Sequence, residues 1–288
     1  MIIEQTITWV GKSWFARVAG VTFTDLITKR RFSIGINKQK MCEHQTSIAE
    51  KNSKVFDQMA LGWDTNPSKA EFSKRIAQAI KEVFDKVSHT LNKQSDLLVM
   101  DFGAGTGTLS FLFLREFNDK IAHIDAVDVS SGMLDQLNQK KDNLMKDNVL
   151  KGLDKLKTNC LDLEKATAED EIVSKKGSFD LILSAMTFHH LENLPEKLKM
   201  LHSYLTKGGV LIFVDIDSDA EFAETFHCKH MKDEVQYKGG FSEKVLTNWL
   251  TENGFENAQF FRNVTVNKKG NDGIERDYVL MTTCAFKK

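Results

Sequence analysis

The feature that most constrains the fold is the stretch LLVMDFGAGTGTLSFLF at residues 97–113. Its first residues predict a buried strand, and the almost uniformly apolar segment 109–117 predicts a helix packed against a sheet. The loop between them contains Gly103, Gly105 and Gly107, which permit positive φ angles and keep Cβ atoms away from a ligand. The helix that follows points free N–H groups at this loop, so the stretch suits a nucleotide-like cofactor.

Downstream of this loop, apolar segments alternate with amphipathic ones. A helix is predicted to begin at Asn193 and Pro195 and to end at the pair Gly208–Gly209. Strands that alternate with helices predict a Rossmann-like, doubly wound α/β sheet of five parallel strands. The predicted strands cover residues 97–101, 122–128, 156–160, 179–184 and 210–215.

The C-terminal part of the chain departs from this alternation. Ser242 is placed to cap a helix, and Gly254 is placed to end it. Two strand-like segments follow, at residues 258–266 and 276–286, with only a turn-rich linker between them. Because no helix separates these segments, they predict a C-terminal antiparallel β-hairpin.

Composition divides the chain into three expected segments. Residues 1–40 contain seven lysines and arginines against two acidic residues, which predicts an N-terminal extension. A mitochondrial transit peptide and a variable extension both remain open for it. Residues 41–95 are predicted to form a helical cap, and residues 96–288 the cofactor-binding domain. Four cysteines without a C-x-x-C pair favour a reducing compartment, so we expect a cytoplasmic protein, with the mitochondrial matrix as the alternative.

Charge and apolar patterning exclude several classes of partner. The formal net charge of -1 argues against nucleic acid binding, and no apolar run approaches the roughly 20 residues of a membrane span. The stretch 226–241 contains His227, Cys228, His230 and Tyr237, but no clear carboxylate partner for a metal. We therefore predict no metal site, and a pocket wall or a surface helix there. Oligomeric state is left open.

The glycine pattern narrows the kind of cofactor. A dinucleotide fingerprint G-x-G-x-x-G starting at Gly103 would need glycine where Thr108 stands, and the lysine of a P-loop is absent. Asp128 ends the second predicted strand, where a carboxylate can accept hydrogen bonds from both ribose hydroxyls. Met133 follows, where a soft side chain can pack against adenine. Asp162 lies just beyond the third strand, where it can accept from an exocyclic amine.

Taken in order, five motifs resemble those of class I S-adenosylmethionine-dependent methyltransferases. The resemblance is strongest to the ubiquinone/menaquinone-biosynthesis-like branch that acts on small molecules, and it covers about residues 54–286. One segment before the motifs resembles the N-terminal part of that branch, and one segment after them resembles its last helix. The motifs read VMDFGAGTG, AVDVSSGMLDQL, NCLDLE, FDLILSAMTFHHL and LTKGGVLIFVD.

This resemblance implies a seven-stranded fold, with S-adenosylmethionine as the methyl donor and S-adenosylhomocysteine as the product. It places the glycine loop at the methionine half of the cofactor, Asp128 at the ribose and Met133 at the adenine. It also implies that Trp63 helps to close the site. The implied cofactor-binding residues are Asp101, Gly103, Ala104, Gly105, Gly107, Asp128, Val129, Met133, Asp162, Leu163, Ser184 and Trp63.

Two histidines follow the fourth predicted strand on the ligand side. His189 and His190 are candidates for a general base or an acceptor-orienting group, with His189 preferred, and local hydrogen bonding that shapes the loop is the alternative. We expect methyl transfer to an O, N, S or C nucleophile of a small organic acceptor. A protein methyltransferase, an NAD-dependent oxidoreductase that uses the same loop, and a non-catalytic binding module are the alternatives.

Overall fold

The computed structural model describes residues 47–227 and 234–288, and this part of the chain begins with two helices. In α1 (Ile48–Trp63), Ser47 and Glu50 form a capping box, in which each side chain accepts from the other's backbone amide. In α2 (Pro67–Val87), the proline ring fixes φ at the first helical position, where no N–H is needed. Both helices therefore begin with residues that satisfy or spare the free N–H groups of a first helical turn.

A seven-stranded sheet lies at the centre of the described residues. Its strands are β1 (Leu97–Phe102), β2 (Ile121–Asp128), β3 (Leu156–Cys160), β4 (Phe179–Ala185), β5 (Leu205–Ile216), β6 (Phe255–Lys269) and β7 (Glu275–Lys287). Their spatial order is β3-β2-β1-β4-β5-β7-β6. The first five strands pair in parallel, and β7 pairs antiparallel with both β5 and β6. The predicted fold, five parallel strands plus a C-terminal hairpin, is confirmed.

Helices cover both faces of this sheet. Along β5, the side chains of Val210 and Ile212 join the hydrophobic cluster that contains α2 residues, whereas Leu211 and Phe213 join the opposite cluster. Successive side chains of β5 thus point to opposite faces of the sheet, and both faces are buried. The remaining helices are α3 (Thr108–Phe117), α4 (Ser131–Lys146), α5 (Glu171–Ser174), α6 (Leu194–Tyr204) and α7 (Glu243–Glu252).

The predicted end of one helix is wrong. α6 ends at Tyr204, and β5 begins at the next residue, so the pair Gly208–Gly209 lies inside a strand. Gly208 has a φ of +76°, and the pairing of β4 with β5 shifts register before Val210. The two glycines therefore lie at an irregularity in the pairing of β5, where a residue with left-handed backbone is needed. They do not end the helix.

The C-terminal helix begins as its sequence predicts. The hydroxyl of Ser242 caps α7 by accepting from the amide of Val245, and Gly254 follows the helix with a φ of +88°. The predicted N-terminal extension at residues 1–40 lies outside the described residues, as do Cys228 and His230. Among the residues that are described, none of the helices has both the length and the apolar character that crossing a bilayer requires.

Candidate functional site

The three glycines of the loop after β1 have different surroundings. All three have positive φ, at +74°, +53° and +81° for Gly103, Gly105 and Gly107. A Cβ on Gly103 would lie 2.2 Å from Oγ1 of Thr187, and one on Gly107 would lie 2.6 Å from Cγ of Leu137. A Cβ on Gly105 would meet no atom within 4 Å. The outer glycines therefore allow close packing of the loop, whereas Gly105 faces open space in which a ligand can lie.

Asp128, at the end of β2, is hydrogen-bonded to this loop. One carboxylate oxygen accepts from the amide of Gly105 at 2.8 Å, and the other accepts from the amide of Ser130 at 2.9 Å. Burial raises the pKa of the Asp128 carboxyl, and these backbone bonds oppose that rise. The side chain fixes the loop beside the end of β2, which is where a ribose-binding carboxylate is predicted.

Asp101, at the end of β1, is buried, with 1% of its surface exposed. Its carboxylate accepts from the hydroxyl of Ser110 in α3 at 2.6 Å. Burial raises the pKa of Asp101 to about 7, and the nearby charge of Asp128 raises it further. This hydrogen bond joins the end of β1 to α3, the helix that follows the glycine loop.

The residues predicted to surround adenine follow β2 and β3. Met133 and Leu163 are buried, and Met133 lies in the first turn of α4. The hydroxyl of Ser130 caps this helix by accepting from the amide of Met133 at 3.1 Å, so Ser130, and not Asp128, is the cap. Asp162 accepts from the amide of Glu164 at 3.1 Å, which makes it part of a local turn.

Two further predicted residues have hydrogen bonds of their own. Ser184 is buried at the end of β4 and donates to the carbonyl of Phe102 at 2.7 Å, which holds β4 against the start of the glycine loop. Trp63, the last residue of α1, donates to the hydroxyl of Ser73 at 3.3 Å. Its ring centroid lies 6.1 Å from that of Phe56. Of the two, Ser184 lies directly beside the loop.

Helix α1 is attached to the loop side of the sheet by two aspartates that the sequence interpretation did not single out. Asp57 accepts from the hydroxyl of Ser130 at 2.7 Å and from the amide of Gly132 at 2.8 Å. Asp64, which follows α1, accepts from the hydroxyl of Thr106 at 3.0 Å. Positions seven apart share one face of a helix, so the spacing of these two acids was a usable signal.

The second part of the site is a histidine–aspartate pair. His189 lies in the short turn 188–190 after β4, and Asp215 lies near the end of β5. Nδ1 of His189 is 2.7 Å from Oδ1 of Asp215, and the backbone amide of His189 donates to Oδ2 at 3.2 Å. Both residues are 2% exposed. Because β4 and β5 are neighbours, residues at their carboxyl ends meet at the same edge of the sheet.

Burial sets the protonation of this pair. It raises the pKa of Asp215 to about 6 and lowers the pKa of His189 to about 3. Near neutral pH, Asp215 is therefore an anion and His189 a neutral imidazole. Since a carboxylate only accepts hydrogen bonds, Nδ1 of His189 carries the proton and Nε2 is the basic nitrogen. Sequence reasoning proposed His189 and missed Asp215.

Two more imidazoles complete a buried cluster. The ring centroid of His189 lies 4.1 Å from that of His190 and 4.7 Å from that of His227. Nδ1 of His190 donates to the carbonyl of Glu234 at 2.9 Å. Burial lowers the pKa of His190 to about 3 and that of His227 to about 2, and the charge of Lys268 lowers the pKa of His227 further. The cluster is therefore neutral at physiological pH.

This cluster predicts how stability depends on pH. An unfolded histidine binds a proton near pH 6.5, whereas folded His190 resists protonation down to about pH 3. Between these values the unfolded state holds more protons, so the free energy of unfolding falls as pH falls. We expect His190→Gln to reduce this slope by up to about 1.4 kcal/mol per pH unit, measured by urea unfolding between pH 4.5 and 7.5.

The control for that experiment is His89→Gln, which changes an exposed histidine. Asp101 and Asp215 contribute slopes of opposite sign, since their raised pKa values favour the folded state at low pH, and both are present in every variant. His190 also lowers the pKa of Asp215, so its removal acts on Asp215 in the same direction as the expected reduction of the slope. An equal slope for His190→Gln and wild type would contradict the assignment of His190 as buried and neutral.

Within residues 47–227 and 234–288, no group of three or more His, Cys, Asp or Glu side chains could hold a metal ion. Of the histidine-rich stretch 226–241, His227 lines the cluster, and the hydroxyl oxygen of Tyr237 accepts from the amide of Leu194 at 3.2 Å. The described part of this stretch therefore forms a wall of the site.

Comparison with known proteins gives a family match. Residues 71–259 match the model of a family described as a methyltransferase domain. An uncharacterized methyltransferase of Schizosaccharomyces pombe is 28% identical over 177 residues, which is 58% of this chain and 56% of that protein. A malonyl-acyl-carrier-protein O-methyltransferase of Acetivibrio thermocellus is 29% identical over 144 residues, 50% of this chain and 42% of that protein. The chain thus spans about half the length of these curated relatives.

Two solved structures share the fold. One is an S-adenosylmethionine-dependent methyltransferase of Thermotoga maritima, described as a possible histamine N-methyltransferase, with a TM-score of 0.52 and 19% identity over 82% of this chain and 100% of that chain. The other is phosphoethanolamine N-methyltransferase 2 of Haemonchus contortus in complex with phosphomonomethylethanolamine and S-adenosylhomocysteine. Its TM-score is 0.55 at 13% identity, over 84% of this chain and 60% of that chain. At these identities the likeness concerns the fold.

Proposed function

We propose that this chain, which belongs to the methyltransferase domain family, transfers the methyl group of S-adenosylmethionine to a small organic acceptor. The observation that carries the proposal is the contact between the glycine loop and the turn that bears the histidines. A Cβ on Gly103 would lie 2.2 Å from Oγ1 of Thr187, which is two residues before His189. A cofactor cradle and a basic side chain therefore share one edge of the sheet, as alignment for an in-line displacement requires.

The residues of the loop fit S-adenosylmethionine. Gly105 leaves open space beside Asp128, and the oxygens of Asp128 keep lone pairs for ribose hydroxyls, because each oxygen of a carboxylate accepts more than one hydrogen bond. Met133 and Leu163 offer buried apolar surface for adenine. When bound, the cofactor supplies an electrophilic methyl group on a sulfonium whose leaving group is a neutral thioether.

His189 is assigned the role of general base. As positive charge develops on the attacking atom of the acceptor, its proton becomes strongly acidic, and even a neutral imidazole of low pKa can accept it. Asp215 positions the ring, holds the proton on Nδ1 and stabilises the imidazolium that forms. This arrangement is useful only when the nucleophile carries a proton, so the proposed acceptor atom is an O–H, N–H, S–H or acidic C–H.

Several finer assignments belong to the same proposal. The net charge of -1 supports a small molecule over nucleic acid as the acceptor, and a protein acceptor is the alternative. The family match removes support for the NAD-dependent oxidoreductase.

We assign residues 41–95 to a cap and residues 96–288 to the cofactor-binding domain, and the attachment of α1 to the loop supports this division. A cytoplasmic location is proposed, with the mitochondrial matrix as the alternative.

The proposed function is tested with methyl-labelled S-adenosylmethionine and fractionated cell extract. We expect micromolar binding of S-adenosylhomocysteine by calorimetry and label in the small-molecule fraction. Label in the protein fraction instead would establish the alternative acceptor class. Absence of cofactor binding by the wild-type protein, or a bound cofactor that labels neither fraction, would overturn the proposal.

A further inference from the structure

Asn52 is an unusual residue for the buried side of α1. It is 5% exposed, and its Nδ2 donates to the backbone carbonyl of His190 at 3.2 Å. A carbonyl oxygen only accepts hydrogen bonds, so the amide nitrogen must face it, and the orientation of the side chain is fixed. The opposite atom, Oδ1, is buried and has no hydrogen-bond partner among residues 47–227 and 234–288.

Other unpaired polar atoms lie around the same histidine. Oε2 of Glu234 is buried without a partner in the described part of the chain, and the carbonyl of this residue accepts from Nδ1 of His190. Nε2 of His227 is also unpaired within those residues, and its ring centroid lies 6.0 Å from that of His190. Buried polar groups are nearly always hydrogen-bonded in folded proteins, so three such atoms around one residue require an explanation.

The position of these atoms relates them to catalysis. The rings of His190 and the proposed base His189 lie 4.1 Å apart between centroids. Phe56, one turn after Asn52 in α1, places its ring against that of His190 at 5.2 Å. One face of α1 therefore borders the histidine cluster at His190, the residue that follows the proposed base.

We propose that Oδ1 of Asn52 and Oε2 of Glu234 bind hydrogen-bond donor groups of the methyl acceptor, which selects a hydroxyl- or amine-bearing molecule over a carboxylate. Both atoms only accept hydrogen bonds, so the partner that satisfies them must donate. A carboxylate acceptor has no donor at neutral pH, would be repelled by Glu234 and Asp215, and has no proton for His189 to remove. Asn52 lies in the cap, outside the family match at residues 71–259, whereas Glu234 lies inside the match, so the proposed specificity uses residues of both parts.

This inference rests on the proposed function, and its test separates the two. The full chain and the variant Asn52→Leu are assayed with labelled S-adenosylmethionine against 2-aminoethanol, catechol and 4-aminophenol, and against propionate and benzoate as carboxylates. We expect label in donor-bearing compounds, and a KM for them that rises at least about tenfold in Asn52→Leu. Affinity for S-adenosylhomocysteine should stay within about twofold, because the hydrogen bond of Asn52 runs to the histidine turn and not to the glycine loop.

Asn92→Leu is a control for the loss of an asparagine-to-carbonyl bond away from the site, since Nδ2 of the exposed Asn92 donates to the carbonyl of Lys207, before the amino end of β1. Asn52→Leu is expected to lose more Tm than Asn92→Leu, because the carbonyl of His190 loses its buried donor, so KM is compared at a temperature at which both variants stay folded. Equal labelling of carboxylates, or an unchanged KM in Asn52→Leu, would overturn the inference and leave the proposed function intact. Failure of the wild type to bind cofactor, or to label any compound of this panel or of the cell extract, would overturn both.

Discussion

Gly105→Ala is expected to lower the affinity for S-adenosylhomocysteine at least about tenfold, or 1.4 kcal/mol, while the protein stays folded. The added methyl group meets no protein atom within 4 Å, so the cost to folding is only the left-handed backbone at a φ of +53°, about 1–2 kcal/mol. The same methyl group enters the space beside Asp128 that the cofactor would occupy. Titration calorimetry and thermal unfolding measure the two effects separately.

Gly177→Ala provides a matched control for this prediction. Gly177 also has a positive φ, +76°, and a Cβ there also meets nothing within 4 Å, but the residue precedes β4 at the opposite edge of the sheet. Both variants should lose similar stability, and only Gly105→Ala should lose affinity. Gly103→Ala should instead destabilise the fold, because its Cβ would overlap Thr187. Equal affinity of the two Gly→Ala variants at 105 and 177 would place the cofactor elsewhere.

The parts of the fold that depend on local patterns could be predicted from the sequence. The five parallel strands, the hairpin and the cap at Ser242 follow from apolar runs and capping residues a few positions apart. The helix end predicted at Gly208 failed because a glycine signals a left-handed residue without saying whether a helix end or a strand irregularity needs it. The absence of a Cβ lets Gly208 adopt a left-handed backbone, but the pairing of β4 with β5 determines that this residue lies in a strand.

The parts of the site that depend on long-range pairing were harder to predict. Asp215 lies 26 positions from His189 and meets it only because β4 and β5 are adjacent. Its signal was nevertheless available, since Asp101, Asp128 and Asp215 each follow an apolar strand run. Asn52 gave no such signal: its burial depends on how α1 docks against the histidine turn, and a helical pattern alone would assign an asparagine to the solvent side.

His189→Gln is expected to reduce kcat by about 10²- to 10⁴-fold, the usual contribution of a general base, with S-adenosylhomocysteine affinity unchanged. The substitution removes the only group that the proposed mechanism uses to accept the proton. The rate is measured with the acceptor found by the labelling experiment. His202→Gln is the matched control, because His202 is a partly buried histidine of α6 whose ring packs against Phe255, away from the glycine loop. It should retain wild-type kcat.

The pH profile distinguishes a positioned base from a purely structural histidine. Protonation of Asp215 would remove the anion that holds the proton of His189 on Nδ1, and the raised pKa of Asp215 places this loss near pH 6. Wild-type kcat should therefore decline as pH falls through about 6, while calorimetry at the same pH values shows the cofactor still bound. The residual activity of His189→Gln should lack this decline, since Asp215 then orients no base. A variant that keeps both the wild-type rate and the wild-type acid limb would assign His189 and Asp215 to folding alone.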